Sequence, residues 1–222
     1  MPLRGRAFLP LWSGLREGYE RELDRWHTIE HLPERVGIPG FLRGRRYMAT
    51  QRSEHAMFIL YEGAHIETFR SPGLIARLND PTEWSKKVQP GLVNFIRGPC
   101  RTVISIGEGV GGAVLTIRAS GDTPEASHPL AAAALSISRL HGVTAVHVGE
   151  HVQDTTALQT AETQLRPTSA SGGFRFAILV EGIGTAELDD AASQAIDLVA
   201  KASSLTYDAS VYRLAYLLDD AG

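Results

Sequence analysis

Phe58-Ile59-Leu60-Tyr61-Glu62-Gly63 and Ala177-Ile178-Leu179-Val180-Glu181-Gly182 decide the fold. Each is a short apolar run that ends in Glu-Gly and leads into a helical segment. A second matched pair stands upstream of each: Gly40-Phe41 in one half, Gly142-Val143 in the other. Recurrence of strand ends at corresponding places marks two diverged copies of one unit.

Working outward from these blocks, the first copy reads as a strand over residues 6–12, a helix over 15–32, and a strand over 41–50 with Gly44 as a bulge. A strand over 55–61, broken helical segments between 64 and 88, and a long strand over 92–106 follow. The second copy repeats the order: a strand over 112–119, a helix over 124–140, and a strand over 143–152. A strand over 174–180, a helix over 186–202 and a final strand over 204–218 complete it. Between them lies a polar connection, 153–172, rich in Thr, Ser and Gln, expected to protrude because it cannot fill a core. The pattern is β-α-β-β-α-β twice, a ferredoxin-like order. Each unit makes an antiparallel sheet with helices on one face, and its other face must be covered. The expectation is therefore an α+β chain of two ferredoxin-like units, residues 1–108 and 109–222, with their sheets packed face to face as a pseudo-dimeric barrel.

Composition bounds the function. The chain has 222 residues, and 22 Lys and Arg stand against 25 Asp and Glu, a formal charge of −3. That balance gives no general attraction to a polyanion, so no nucleic-acid partner is expected. No apolar run reaches the length of a membrane span, and the first residues read as a strand, not a leader, so a cytoplasmic protein is expected. One cysteine, Cys100, excludes a disulfide framework and reads as a buried structural thiol. The glycines of 107–112 lack a phosphate-binding pattern, and the serines lack a nucleophile elbow. No nucleotide, flavin or other cofactor is expected.

Chemistry concentrates in Trp26-His27-Thr28-Ile29-Glu30-His31-Leu32-Pro33-Glu34. On a regular helical wheel Leu23, Trp26 and Glu30 continue one inward stripe, and His31 lies at its margin. His31 is a candidate general base or acid. Glu30 either orients it or is paired structurally, since a buried carboxylate needs partners. On the next strand Arg45 and Tyr47 share a face by period two. They are candidates to stabilise an enolate and to bond a carbonyl. Trp26, His27, His55, Tyr61 and Trp84 are candidate pocket residues. His27 and His31 are four apart, a spacing that can chelate, but they lack the His-Glu-x-x-His order, and no metal is expected. His147 and His151 share a strand face and read as an exposed or interface pair. The second copy has no counterpart of Glu30-His31; its first helix is mostly alanine.

This helix motif, followed by Val36-Gly37-Ile38-Pro39-Gly40-Phe41, resembles the signature of the EthD-like branch of the dimeric α+β barrel proteins. The resemblance covers residues 8–62; the second half resembles the fold alone. It implies the barrel and a small-molecule ligand. Relatives include cofactor-free isomerases, cyclases and monooxygenases, as well as haem binders and proteins of no assigned activity. The final helix, 186–202, carries no histidine, cysteine or methionine, which speaks against haem. Two functions follow: a cofactor-independent lyase, isomerase or cyclase moving protons on a small unsaturated carbonyl, lactone or aromatic compound, or a binding or structural barrel without turnover. Dimerisation of the whole duplicated chain is compatible with either.

Overall fold

The computed structural model describes residues 3–121, 125–153, 159–167, 169–171, 173–203 and 205–220. The first half runs β1 (Ala7–Leu15), α1 (Glu20–Trp26), a π-helical turn (His27–His31), α2 (Leu32–Val36), β2 (Phe41–Ala49) and β3 (Met57–Gly63). It continues through α3 (Pro72–Asn79), α4 (Glu83–Val88), β4 (Leu92–Arg97) and β5 (Cys100–Gly107). The second half runs β6 (Ala113–Ser120), α5 (Ser127–Ile137), β7 (Val143–His151), α6 (Ala161–Gln164) and β8 (Ser169–Ser171). β9 (Phe176–Gly182), α7 (Thr185–Ala202) and β10 (Thr206–Asp219) close the chain. Two expected boundaries, Pro124 and Ser204, lie outside the described residues.

The repeat is visible in backbone detail. Gly63 faces both Ala7 and Phe41 across its neighbouring strands, and Gly182 faces both Ala113 and Val143. Gly40 and Gly142 both have positive φ, +94° and +77°, a conformation that favours glycine ahead of each second strand. Both second strands then slip register near their start, between Phe41 and Arg43 and between Val143 and Ala145. The expected bulge at Gly44 thus falls two residues earlier. Gly44 serves helix packing instead: a Cβ there would lie 2.7 Å from Leu32 Cδ1 and 3.2 Å from Val36 Cγ2.

The strands form a closed antiparallel barrel in the order β3-β2-β10-β6-β9-β7-β5-β1, with β1 returning to β3. The last strand of each half makes the closure. β4 pairs with β1, whereas β5, beyond the Gly98-Pro99 break, runs along β7. In the same way β10 pairs first with β6 and then with β2. β8 adds to β4 in parallel outside the ring.

Alternation sorts the side chains into three cores. On β3, Met57, Ile59 and Tyr61 face the first half's helices, and Phe58 and Leu60 face the barrel interior. On β9, Ile178 and Val180 face α5 and α7, and Ala177 and Leu179 point inward. Strands buried on both faces read as unbroken apolar runs, which is why the two opening stretches look as they do. Inside the barrel Phe8, Trp12, Tyr47, Phe58 and Tyr212 pack together, and Trp12 donates to Thr116 Oγ1 at 3.1 Å, joining the halves.

The 153–172 connection departs from expectation in its described part. It folds back over the first half: Thr160 caps α6 through a reciprocal box with Thr163, and Glu162 is buried. Among the described residues no helix is long and apolar enough to cross a membrane.

Candidate functional site

The first helix is not regular. The i→i+5 winding of the π turn takes up one residue more per turn than an α-helix. It puts Trp26, His27 and His31 together on the buried side and leaves Ile29 62% exposed. Trp26 and His31 stack with ring centroids 4.2 Å apart, and the His27 and His31 rings lie 5.6 Å apart. Beneath them, between helix and sheet, is a narrow cleft with a cavity volume of about 40 Å³. Its floor is apolar, with Leu9, Ile59 and Phe95 from three strands, and α3 contributes Leu74 and Leu78. The α6 segment of the second half supplies one wall through Glu162 and Arg166.

The polar atoms around this cleft are unusual. His27 Nδ1 and Nε2, His31 Nδ1, Tyr61 Oη, Gln89 Nε2 and Arg166 Nη1 are all buried without a hydrogen-bond partner in the protein, and all five residues line the one cleft. Buried polar groups are normally satisfied, by protein or by ordered water, so a group of them on a common space marks this cleft as the candidate site for a further molecule. Burial, with Arg46 and Arg35 nearby, brings His27 down to about 3. Burial, Arg35, His27 and Arg166 hold His31 well below the usual imidazole range. Both rings are neutral at pH 7. Burial pushes the Tyr61 phenol up, so it stays a hydrogen-bond donor.

The other expected site residues go elsewhere. Glu30 turns away from the cleft: its Oε1 accepts from Thr82 Oγ1 at 2.6 Å and from Trp26 Nε1 at 3.1 Å, tying the π turn to the start of α4. Arg45 and Tyr47 do share a face, but it is the barrel interior, on the far side of β2 from His31. The grouping of Glu30 and His31 beside Arg45 and Tyr47 is therefore not what the structure holds. Alternation placed both strand residues inward, where their partners are glutamates. His55 is buried next to Arg118 at another part of the sheet and does not line the cleft. Trp84 packs on the helical core and donates to Glu22 at 2.9 Å; it too lies off the cleft. Trp26, His27, His31 and Tyr61 are the four that come together.

In the barrel interior Arg45 donates to Glu62 Oε1 at 2.6 and 2.9 Å, to Glu181 Oε1 at 2.7 Å and to Tyr47 Oη at 3.0 Å. The two glutamates of the repeated Glu-Gly strand ends thus meet on one guanidinium. The amides of Arg4 and Gly111 bond their remaining oxygens, at 2.6 and 2.7 Å. His147, read as one of an exposed or interface pair, is not exposed: it is fully buried between Glu181 and Ser105 Oγ, 3.0 Å from each. Burial raises Glu181, but Arg45 and His147 outweigh it and bring it to about 2.

Arg35, Gln89, Glu162 and Arg166 of the cleft were not anticipated. Thr160 and Thr163 offered a local helix-start signal for α6, but nothing local tells which half α6 packs against. Among the described residues no group of three His, Cys, Asp or Glu stands together as a metal site. Helix α7 turns Leu188, Ala191, Ala195 and Val199 to the sheet, a packed face without imidazole or sulfur.

Comparison with solved structures gives the class of fold. An anthrone oxidase-like protein superposes with TM-score 0.66 at 10% identity, over 100% of this chain and 97% of that one. A protein named as a monooxygenase from Lactobacillus acidophilus NCFM gives TM-score 0.56 at 10% identity over 97% of each chain. A variant of the chlorite dismutase from Candidatus Nitrospira defluvii gives 0.56 at 11% identity, over 96% and 93%. The chain has the dimeric α+β barrel fold, with both units in one polypeptide. No protein-family model matches the chain, and no curated protein matches it.

Proposed function

We propose that the cleft under the π turn binds a small unsaturated or aromatic carbonyl compound and moves a proton on it, with His31 as the base and no cofactor. The observation that carries this reading is the convergence of unpartnered His27, His31, Tyr61, Gln89 and Arg166 atoms on one largely apolar space. His31 is neutral at pH 7 and so has a free lone pair, but burial and the nearby Arg35 and Arg166 also make it a weak base, so the imidazolium forms only with the enolate's negative charge beside it to offset them. It takes the proton from carbon next to the carbonyl, and the C–H electron pair moves to the carbonyl oxygen as an enolate. The Tyr61 hydroxyl and the Arg166 guanidinium are the donors suited to that oxygen. Return of the proton from His31 to a different atom gives an isomer, with no oxidant consumed. The EthD-like motif around Glu30-His31 agrees with this reading. Glu30 acts by fixing the π turn through Thr82 and Trp26.

The test is exchange of the α-protons of 2-indanone in D₂O, followed by NMR. Wild-type protein should exceed the buffer rate, and His31→Ala should fall by about 10²–10⁴-fold with its near-UV circular dichroism unchanged. Saturable binding without faster exchange would make the protein a carrier and end the proton-transfer reading.

A further inference from the structure

Charge at the cleft is balanced, whereas hydrogen bonding is not. The Arg35 and Arg166 side chains are each 4% exposed. Glu162 meets both, Arg166 Nη2 at 2.7 Å through one oxygen and Arg35 Nη2 through the other, and Glu34 accepts from Arg35 Nη1 at 3.0 Å. Two buried guanidiniums thus face two carboxylates. Arg97, the remaining arginine among the described lining residues, has a partner of its own. A ligand with a net charge would be buried here without a counter-ion, so the cleft favours a neutral one.

Gln89 shows which end of such a ligand is read. It is fully buried just after α4, where the chain turns into β4. Arg166 Nε lies 2.7 Å from the Gln89 side-chain oxygen, and because that nitrogen can only donate, the amide cannot be turned over. Gln89 Nε2 is therefore held as a donor, and it is buried with no partner in the protein. Arg166 Nη1 is in the same condition. The unpartnered atoms of His27, His31 and Tyr61 can donate or accept, by tautomer or by rotation, but these two cannot. The fixed demand of the cleft is thus for an acceptor. Helix α4 also ties this donor to the base: Thr82 at its start donates to Glu30, Ser85 Oγ accepts from Trp26 Nε1 at 3.2 Å, and Gln89 follows its last residue.

We propose that Gln89 Nε2 donates to the oxygen of a neutral carbonyl ligand, which makes Gln89 a further catalytic residue and the one that selects an acceptor there. This rests on the reading of the cleft as a carbonyl site and adds the group that recognises the carbonyl. The bond strengthens as that oxygen takes up the enolate charge. A cavity of about 40 Å³ takes one carbonyl group as it stands, and a ring behind it enters as the walls part.

The test compares 2-indanone with 2-indanol, matched in size, of which only the alcohol can donate; both are titrated calorimetrically into the full chain. Gln89→Glu keeps the Arg166 bond through one oxygen and turns the free end from donor to acceptor. It should lower ketone affinity relative to alcohol affinity by about tenfold or more, a change of preference that a damaged fold would not produce. Gln89→Met removes the donor without adding charge and should also weaken the ketone, with near-UV circular dichroism unchanged. An unmoved preference in Gln89→Glu would overturn the proposal, as would unchanged ketone affinity in Gln89→Met or binding of neither compound by the wild type. The exchange assay keeps the two readings apart. A shifted preference without exchange leaves Gln89 as the carbonyl donor of a carrier; exchange with an unmoved preference removes Gln89 and leaves His31 in place.

Discussion

His27 has both ring nitrogens buried and unbonded by the protein, which ties stability to pH in a definite direction. In the unfolded chain an imidazole protonates near 6.5; in the folded protein His27 resists until about 3. Between these values the unfolded state binds more protons, so stability is present above about pH 6.5 and is lost as pH falls through that window. At pH 5 the His27 contribution to that loss is about 2 kcal/mol at about 1.4 kcal/mol per unit, and His31 acts in the same direction. Urea unfolding at pH 7 and pH 5 should show a smaller drop for His27→Gln than for wild type. An identical drop would mean that His27 is charged or hydrated in the folded protein. At this scale the sequence was partly legible. The cluster of imidazoles announces a chemical surface, and period two pairs Arg45 with Tyr47. Neither tells which side of the sheet a face will meet, and that is what parts Tyr47 from His31. The wheel also assumes regular winding, and the π turn breaks that assumption just where Glu30 was read as continuing the inward stripe.

Among the elements, the strands were the more legible, because apolar runs buried on both faces leave little ambiguity and Gly-rich turns bound them. The first helix was not: residues 7–15 are all strand, and the helical run begins only at Glu20. Leu15, expected at a helix start, instead pairs with Leu92 at the end of β1. The α6 segment was hidden for a different reason: its value lies in ion pairs with Arg35 of the other half, more than 100 residues away in sequence. Gly44 marks how the elements fix the cleft. Leu32 and Val36 of α2 sit directly over it, and Leu32 is fully buried with no room to retreat. Gly44→Val should lift α2 from β2, lower stability by about 1–3 kcal/mol as overpacking does, and weaken ligand binding more than any surface change on α2. Thermal unfolding and 2-indanone titration of the same variant check both effects. A stable variant with unchanged binding would show that the helix can slide without disturbing His31.

For the whole molecule, the barrel was legible because a four-stranded unit with helices on one face cannot leave its other face bare, and the second copy is the nearest cover. What could not be read is how closure is achieved, since a strand's partner past a break such as Gly98-Pro99 depends on geometry that no periodicity encodes. The repeat carried one more message. Its two Glu-Gly strand ends bring Glu62 and Glu181 from opposite halves to Arg45, and the three side chains are 0%, 1% and 0% exposed in the order Glu62, Glu181, Arg45. A buried pair of this kind adds little compared with apolar packing, but removing one partner strands the others. Arg45→Met should therefore cost about 3–5 kcal/mol in urea unfolding, because two carboxylates lose the cation between them. Adding Glu62→Gln and Glu181→Gln to that variant should recover part of the loss, since neutral amides tolerate the interior better than two anions left with only Arg43, 3.6 Å from Glu62, and His147, 3.0 Å from Glu181. The recovery distinguishes charge from volume: a methionine that merely packed badly would be helped by neither change. If Arg45→Met instead unfolds at the wild-type urea concentration, the glutamates have found other partners, and the interior network does not hold the two halves together.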